Sequence, residues 1–436
     1  MTALASGTSA DIARATASPV SKTSVAAAVA GNVLEFYDFT TYTFFATMIG
    51  AHFFPSKDPF ISLMASLATF GVGFATRPIG GIFIGAYADR AGRKPAMMLT
   101  VGLMAIGMLV IALTPSYATI GPLAPTLVVL ARLVQGFALG GEVGPATSFL
   151  IEAAPSNQRG LYASWQLASQ GLSTLIAGAV GLTVSLMLSD QDMKDWGWRI
   201  PFLIGILIIP VALFMRAKMP ETLDLEAPTT HHTSGSVLRA LFTEHARPFT
   251  LAFLVISSGT ISTYLFNYMT TYALTTLHLP TSTSIAATLI VGLSIFVFSL
   301  IGGWLSDKVG RKPLMIWPKV LSIVLAYPAF WLLNTYRSAA VLLLVTAFAV
   351  SIGSLGSVLI VAIPESLPRS VRSAGLAVSY ALGVTIFGGT AQPIVAWLIH
   401  ATQDPLSPAW YLILSGVVGL GAILMMPETR DAVLKD

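Results

Sequence analysis

One block of sequence occurs twice, and that duplication constrains the fold more than any other feature. Gly85-Ala86-Tyr87-Ala88-Asp89-Arg90-Ala91-Gly92-Arg93-Lys94-Pro95 lies between two long apolar runs. Gly303-Trp304-Leu305-Ser306-Asp307-Lys308-Val309-Gly310-Arg311-Lys312-Pro313 lies between two more. Further pairs keep the same order. Glu152, Pro155 and Arg159 have the spacing of Glu365, Pro368 and Arg372, and Met219-Pro220-Glu221-Thr222 is matched by Met426-Pro427-Glu428-Thr429. The chain is therefore an internal repeat of roughly half its length, which sets the architecture before any local reading.

Each basic block is too short to do anything but join two antiparallel helices at one membrane face. Gly92 and Gly310 permit the tight turn. Asp89 and Asp307 stand where they can cap the following helix or pair with a nearby arginine. Such a loop can serve orientation alone, but its duplication points to a shared conformational role. Asp89, Arg90, Gly92, Arg93, Lys94, Glu152 and Arg159 in the first half, and Asp307, Gly310, Arg311, Lys312, Glu365 and Arg372 in the second, are the expected gate residues.

Composition places the chain in a bilayer. Hydrophobic residues make up 55% and charged residues 10% of its 436 positions, where soluble domains carry about 25% charged residues. Apolar runs long enough for a helix to cross the hydrocarbon core fall near 25–51, 61–88, 96–115, 124–150, 161–188, 197–217, 248–277, 283–305, 314–334, 339–363, 373–400 and 407–426. The expected fold is an all-α membrane protein, with twelve transmembrane helices in two pseudo-symmetric six-helix bundles. The expected domains are a tail over 1–24, a bundle over 25–217, a polar linker over 218–247, a second bundle over 248–427 and a tail over 428–436.

Charge tests that count. Of the 24 Lys and Arg, only Lys57, Lys194, Arg199 and Arg337 fall outside, and Arg77, Arg132 and Lys319 fall within spans. The rest lie on the side of the termini, so the positive-inside rule puts both termini in the cytoplasm of an inner-membrane protein. The first 22 or so residues lack the apolar core of a secretory signal, and the first helix is expected to act as the uncleaved signal. The basic residues behind the net charge of +4 cluster at loops on one side, as orientation requires, and no nucleic-acid partner is expected. With no cysteine, thiolate metal sites and disulfides are excluded. His231 and His232 in the linker read as a solvated pair, and His52, His278 and His400 near span ends receive no role. No metal or cofactor is expected beyond the proton as coupling ion.

Ionisable residues inside a span are costly unless paired or hydrated, so each is a functional hypothesis. Glu35 and Asp38 stand one turn apart on one helix, with Tyr42 a turn beyond. Two carboxylates close together in a low-dielectric site repel, which favours one of them holding a proton near neutral pH. Glu142 is a third candidate proton carrier. An ion pair with Arg77 or Arg132 is the structural alternative for these carboxylates. Gly136, Gly140 and Gly141 let another helix approach the segment that carries Arg132, Gln135 and Glu142. Arg77 and Arg132 can fork onto a substrate carboxylate or tie helices together. In the second half Tyr264, Asn267, Tyr268, Thr271 and Tyr272 form a stripe that lines either a cavity or a helix interface. Lys319 is an internal cation that can meet an anion or snorkel to a face. Gln392-Pro393 suggests a kink near the cavity.

These motifs resemble the major facilitator superfamily from about residue 25 to 430. The basic blocks look like its signature loop, and Arg132-x-x-Gln135-Gly136 is similar to its fourth-helix motif, whose arginine the resemblance implicates in proton coupling. Gly31-Asn32-x-x-Glu35-x-x-Asp38-Phe39, Arg77-Pro78-x-Gly80-Gly81, Gln135-Gly136-x-x-x-Gly140-Gly141-Glu142, Ser164-Trp165-Gln166-x-x-Ser169-Gln170 and Trp196-Gly197-Trp198-Arg199-Ile200-Pro201-Phe202 resemble the metabolite:proton symporter branch. Thr119-Ile120-Gly121-x-Leu123-Ala124-Pro125, Phe387-Gly388-Gly389-Thr390 and Asp404-Pro405-x-Ser407-Pro408 are most similar to citrate and tricarballylate carriers. The long C-terminal coiled coil of osmoregulatory members is missing, so osmosensing is not expected. The antiporters' fifth-helix Gly-Pro signature is also missing between Gly171 and Gly181, which favours symport.

The expected function is proton symport of a small organic anion (citrate, tricarballylate or a dicarboxylate) by alternating access, by a monomer in the lipid bilayer. Glu35, Asp38, Arg132 and Glu142 are the expected proton-coupling residues. Arg77, Arg132, Gln135, Gln166, Gln170, Tyr264, Asn267, Tyr268, Lys319 and Gln392 are the expected substrate contacts. Alternatives are a symporter of a zwitterionic or hydroxylated metabolite and a nutrient sensor that no longer transports. An intramembrane enzyme is not expected, because no nucleophile–base or metal motif is found.

Overall fold

The computed structural model describes residues 22–91, 93–140, 150–151, 154–155, 157–217, 241–367 and 369–430. The side chains of 22–28, 34–35, 86, 88–90, 93–94, 208–209, 211–217 and 369–374 lie outside that description. Among the described residues there are twelve long helical rods and no strand. They are α1 (Lys22–Phe44, continued by Ala46–Phe53), α2 (Pro59–Ala75 and Arg77–Ala91), α3 (Arg93–Leu113), α4 (Leu123–Leu139), α5 (Arg159–Met187) and α6 (Arg199–Ala217) in the first half. The second half holds α7 (Ala246–Asn267 and Met269–Thr275), α8 (Thr281–Val309), α9 (Arg311–Tyr336), α10 (Ala339–Leu355, a tight turn Gly356–Val358, and Leu359–Ser366), α11 (Arg369–Gly383, a widened turn Val384–Gly388, and Gly389–Thr402) and α12 (Ser407–Met425). Each expected span falls on one of these helices. Nine apolar helices among the described residues are long enough to cross a membrane. The described part of α4 is shorter, at 17 residues, because 141–149 lie outside the description.

The interruptions have local causes. Pro78 and Pro393 each lack the N–H that would close the turn four residues back. The carbonyl that Pro78 leaves free is that of Phe74, and it accepts a hydrogen bond from Thr385 Oγ1 of α11 at 3.3 Å. The carbonyl that Pro393 leaves free is that of Gly389, which lies directly against Gly71 of α2. A Cβ placed on Gly71 would stand 2.5 Å from that oxygen. The two freed carbonyls therefore meet at the crossing of α2 and α11, one contact between the halves. The widened turn precedes Pro393, so the irregularity in α11 starts one to two turns before the expected kink at Gln392-Pro393.

The other main contact runs the length of α5 and α8. It too is a backbone approach made possible by small residues. A Cβ on Gly303 would stand 2.5 Å from both the Gly160 carbonyl and Ser164 Oγ. The halves thus meet along two glycine-lined seams and enclose the space between them.

Candidate functional site

That space is a cavity of about 140 Å³ lined by both halves. The first half contributes Phe36, Phe39 and Thr40 of α1 and Leu167, Gln170 and Thr174 of α5. The second contributes Tyr264 and Asn267 of α7, Ser299 of α8, Lys319 of α9, Ser357 of α10 and Tyr380 of α11, among others. Gln170 Nε2, Ser299 Oγ, Ser357 Oγ and Asn267 Oδ1 are buried there without a hydrogen-bond partner among the described residues. Buried polar atoms are normally paired, so this wall is suited to receive a polar ligand.

Beside the cavity, within the first half, lies a separate charged centre. Arg132 Nη1 of α4 donates to Asp38 Oδ2 of α1 at 3.3 Å and to Gln135 Oε1 at 2.7 Å. Arg132 and Asp38 are 1% and 0% exposed, so water does not screen the pair. Aromatic faces complete the solvation of the cation: the Arg132 guanidinium lies 4.4 Å from the Tyr42 ring centroid and 5.3 Å from that of Phe70. Arg77, at the restart of α2 after Thr76, lies 4.1 Å from the Phe74 ring centroid and 4.9 Å from that of Phe39. Asp38 Oδ1, Arg132 Nε, Gln135 Nε2 and two Arg77 nitrogens have no hydrogen-bond partner among the described residues. Tyr264 packs its ring against Phe39, Phe70 and Phe74 with centroids 5.5–6.1 Å away. Phe39 and Tyr264 also line the cavity, so an aromatic layer one ring thick separates the ion pair from the binding space.

The repeated block of the second half is fully in view. Asp307, at the end of α8, accepts hydrogen bonds from the backbone N–H groups of Gly160 and Leu161 at 2.8 and 2.9 Å. A carboxylate thus caps the positive end of α5 across the two halves. Arg311 Nη1 donates to Asp307 at 2.6 Å, while Nε and Nη2 reach the two Glu365 oxygens at 3.2 and 3.3 Å. Gly310 turns the chain at φ +115°. The final repeat motif closes the same cluster. Thr429 Oγ1 donates to Glu365 at 2.8 Å, and Glu428 receives the N–H groups of Arg311, Lys312, Thr429 and Arg430. Burial works against the Glu428 charge, but these donors outweigh it and hold its carboxyl below the ordinary range. Lys312 Nζ caps α12 through the Leu424 carbonyl at 2.8 Å. On the opposite face Phe60 of α2 stacks on His400 of α11 at 3.8 Å.

The expected residues therefore separate into three places. Gln170, Tyr264, Asn267 and Lys319 line the cavity. Asp38, Arg77, Arg132 and Gln135 lie in the buried centre, off that lining. Gln166 is tied to α1, where Nε2 donates to Asn32 Oδ1 at 3.3 Å. Gln392 donates to the Tyr264 carbonyl at 3.3 Å. Tyr268 is buried in the second apolar cluster, because α7 breaks there and the stripe on it divides. Arg159 is the half-buried first residue of α5. Glu142 and Glu152 lie outside the described residues, as do Gly92 and the side chains of Glu35, Asp89, Arg90, Arg93, Lys94 and Arg372. Tyr380, Ser299 and Ser357 carry no charge and no motif, so only the fold brings them to the cavity.

Two helical bundles that meet on glycine seams around a central polar cavity, with a charged centre in one bundle, define a polytopic secondary transporter. The chain belongs to the Major Facilitator Superfamily, whose family model matches residues 28–391. It is 36% identical to a citrate-proton symporter of Salmonella typhi over 91% of this chain and 92% of that one. It is 32% identical to a proline/betaine transporter of Salmonella typhimurium over 94% of this chain and 84% of that one. Among solved structures, a crystal structure of a D-xylose-proton symporter superposes with a TM-score of 0.73 at 18% identity, over 94% of this chain and 99% of that one. That likeness bears on the fold.

Proposed function

We propose that the protein is a proton symporter of a small organic anion, with citrate, tricarballylate or a dicarboxylate as substrate, and that it works by alternating access. The observation that carries this reading is the Asp38–Arg132 pair, dry and one aromatic layer from the cavity. Protonation of Asp38 at its unpartnered Oδ1 cancels the carboxylate charge. Arg132 then remains held by Gln135 and by the faces of Tyr42 and Phe70. A proton can thus move on and off without leaving the cation bare, and Phe39 and Tyr264 carry the change to the cavity wall. Glu35 and Glu142 are the further proton candidates, and Arg77 a second cation that a substrate carboxylate reaches when the aromatic layer shifts.

In this reading the face with the basic loops is cytoplasmic, both termini lie on it, the Asp307 latch closes it, and the monomer is the working unit with the proton as its only cofactor. Likeness to citrate-proton symporters supports the substrate class. The zwitterion reading has support in the likeness to proline/betaine transporters and in the aromatic wall of Phe36, Phe39, Tyr264 and Tyr380, which suits a quaternary ammonium. Purified protein in liposomes tests the choice. Carboxylate uptake under an imposed inward proton gradient is expected, and uptake of betaine or proline alone would contradict the substrate assignment.

A further inference from the structure

The cavity wall is unequal in charge. Lys319 is the only cation lining it, and no carboxylate side chain lines it among the described residues. Its Nζ donates to Ser258 Oγ of α7 at 3.1 Å, which leaves two of its three N–H groups without a hydrogen-bond partner among the described residues. Among the described residues it has no ion-pair partner. Gly419 of α12 makes the placement possible, since a Cβ there would stand 2.5 Å from that of Ser258. An ammonium held at membrane depth without a counter-charge is costly, and nothing in the described wall supplies one.

The other unpartnered groups agree in kind. Gln170 Nε2 is a donor, and the hydroxyls of Ser299 and Ser357 can each donate. Asn267 Oδ1 is the one unpartnered atom on the lining that can only accept. A ligand that satisfies this surface brings negative charge and several acceptor oxygens.

We propose that Lys319, steadied by Ser258, is the carboxylate subsite of the second half, and that its charge selects carboxylate substrates over zwitterions. This rests on the organic-anion reading above and adds the residue that enforces it. A second carboxylate of the same ligand faces the donors Gln170 and Ser299. A zwitterion gains the same contact for its carboxylate but brings its own cation into the same low-dielectric space, where like charges repel. Lys319 discriminates by that repulsion as much as by attraction.

The test uses the full-length protein in proteoliposomes, with citrate, tricarballylate, succinate, proline and betaine as probes. Lys319→Gln is expected to raise KM for the transported carboxylate about 10- to 100-fold. It should leave the dependence of uptake on the pH gradient unchanged and improve inhibition by proline or betaine. Lys319→Arg should keep the preference for carboxylates. Ser258→Ala, which retains the charge, should raise KM only a few-fold and serves if the glutamine variant does not fold. Carboxylate KM within twofold of wild type in a folded Lys319→Gln protein overturns the subsite while leaving the organic-anion reading intact. A wild-type protein that transports no carboxylate overturns both.

Discussion

The two halves share a fold and three motifs but differ in how they hold charge. The first half buries Asp38, Arg77 and Arg132 behind rings, away from the cavity. The second half lines the cavity with hydroxyls, one amide and one lysine. Duplication supplied two equal bundles, and in the proposed mechanism the difference divides the labour. A titrating pair needs a dry site whose environment changes little with the ligand present, whereas a recognition surface needs unpartnered groups that the ligand can reach. One wall cannot meet both demands, because a substrate anion in contact with Arg132 would compete with Asp38 for it.

Substitutions that break this division should be the most damaging. Arg132→Ala strips the buried Asp38 of its partner, at a cost of about 3–5 kcal/mol. Thermal unfolding in detergent should show that loss, and Arg132→Ala/Asp38→Asn should recover part of it. Asp307→Ala removes charge-assisted bonds that join the halves, each worth about 1.5–3 kcal/mol. The chain has no cysteine of its own, so a single Thr174→Cys can report access to the cavity. Labelling from the basic-loop side should rise in the Asp307→Ala background, and unchanged labelling would mean that the latch does not hold that face.

Smaller effects sharpen the comparison at the seams. Gly71→Val drives a side chain into the Gly389 carbonyl and should cost about 1–3 kcal/mol, read as a fall in Tm. Glu428→Gln should give the smallest shift. Its carboxyl is held below the ordinary range, so its contribution is full above the unfolded value of about 4.3. That contribution is lost as pH falls through the lower folded value. The Tm gap between wild type and Glu428→Gln should therefore be largest near neutral pH and close on acidification.

Much of this was legible in the sequence because membranes impose strict rules. Twelve apolar runs and the placement of basic residues gave the helices and their alternation, and the repeat gave the two bundles. Asp38, Arg77 and Arg132 stood out because charge in a span is rare. What the sequence left open was position in depth and in rotation. It gave no sign that rings would wall off Arg77 and Arg132 from the cavity, since Phe39, Phe70 and Phe74 are ordinary core residues by composition. Nor could it separate Asn267 from Tyr268, because the break in α7 that turns them apart follows from tertiary packing. The role of Glu428 on Arg311 was hidden for another reason: a contact over 117 residues leaves no local pattern.

In the proposed mechanism Asp38 carries the proton while the cavity recognises the substrate. The most direct test compares Asp38→Asn with wild type in the same liposomes by two assays, pH-gradient-driven accumulation and substrate counterflow without a gradient. Asp38→Asn should lose accumulation and keep counterflow. Accumulation by Asp38→Asn equal to wild type would contradict that mechanism.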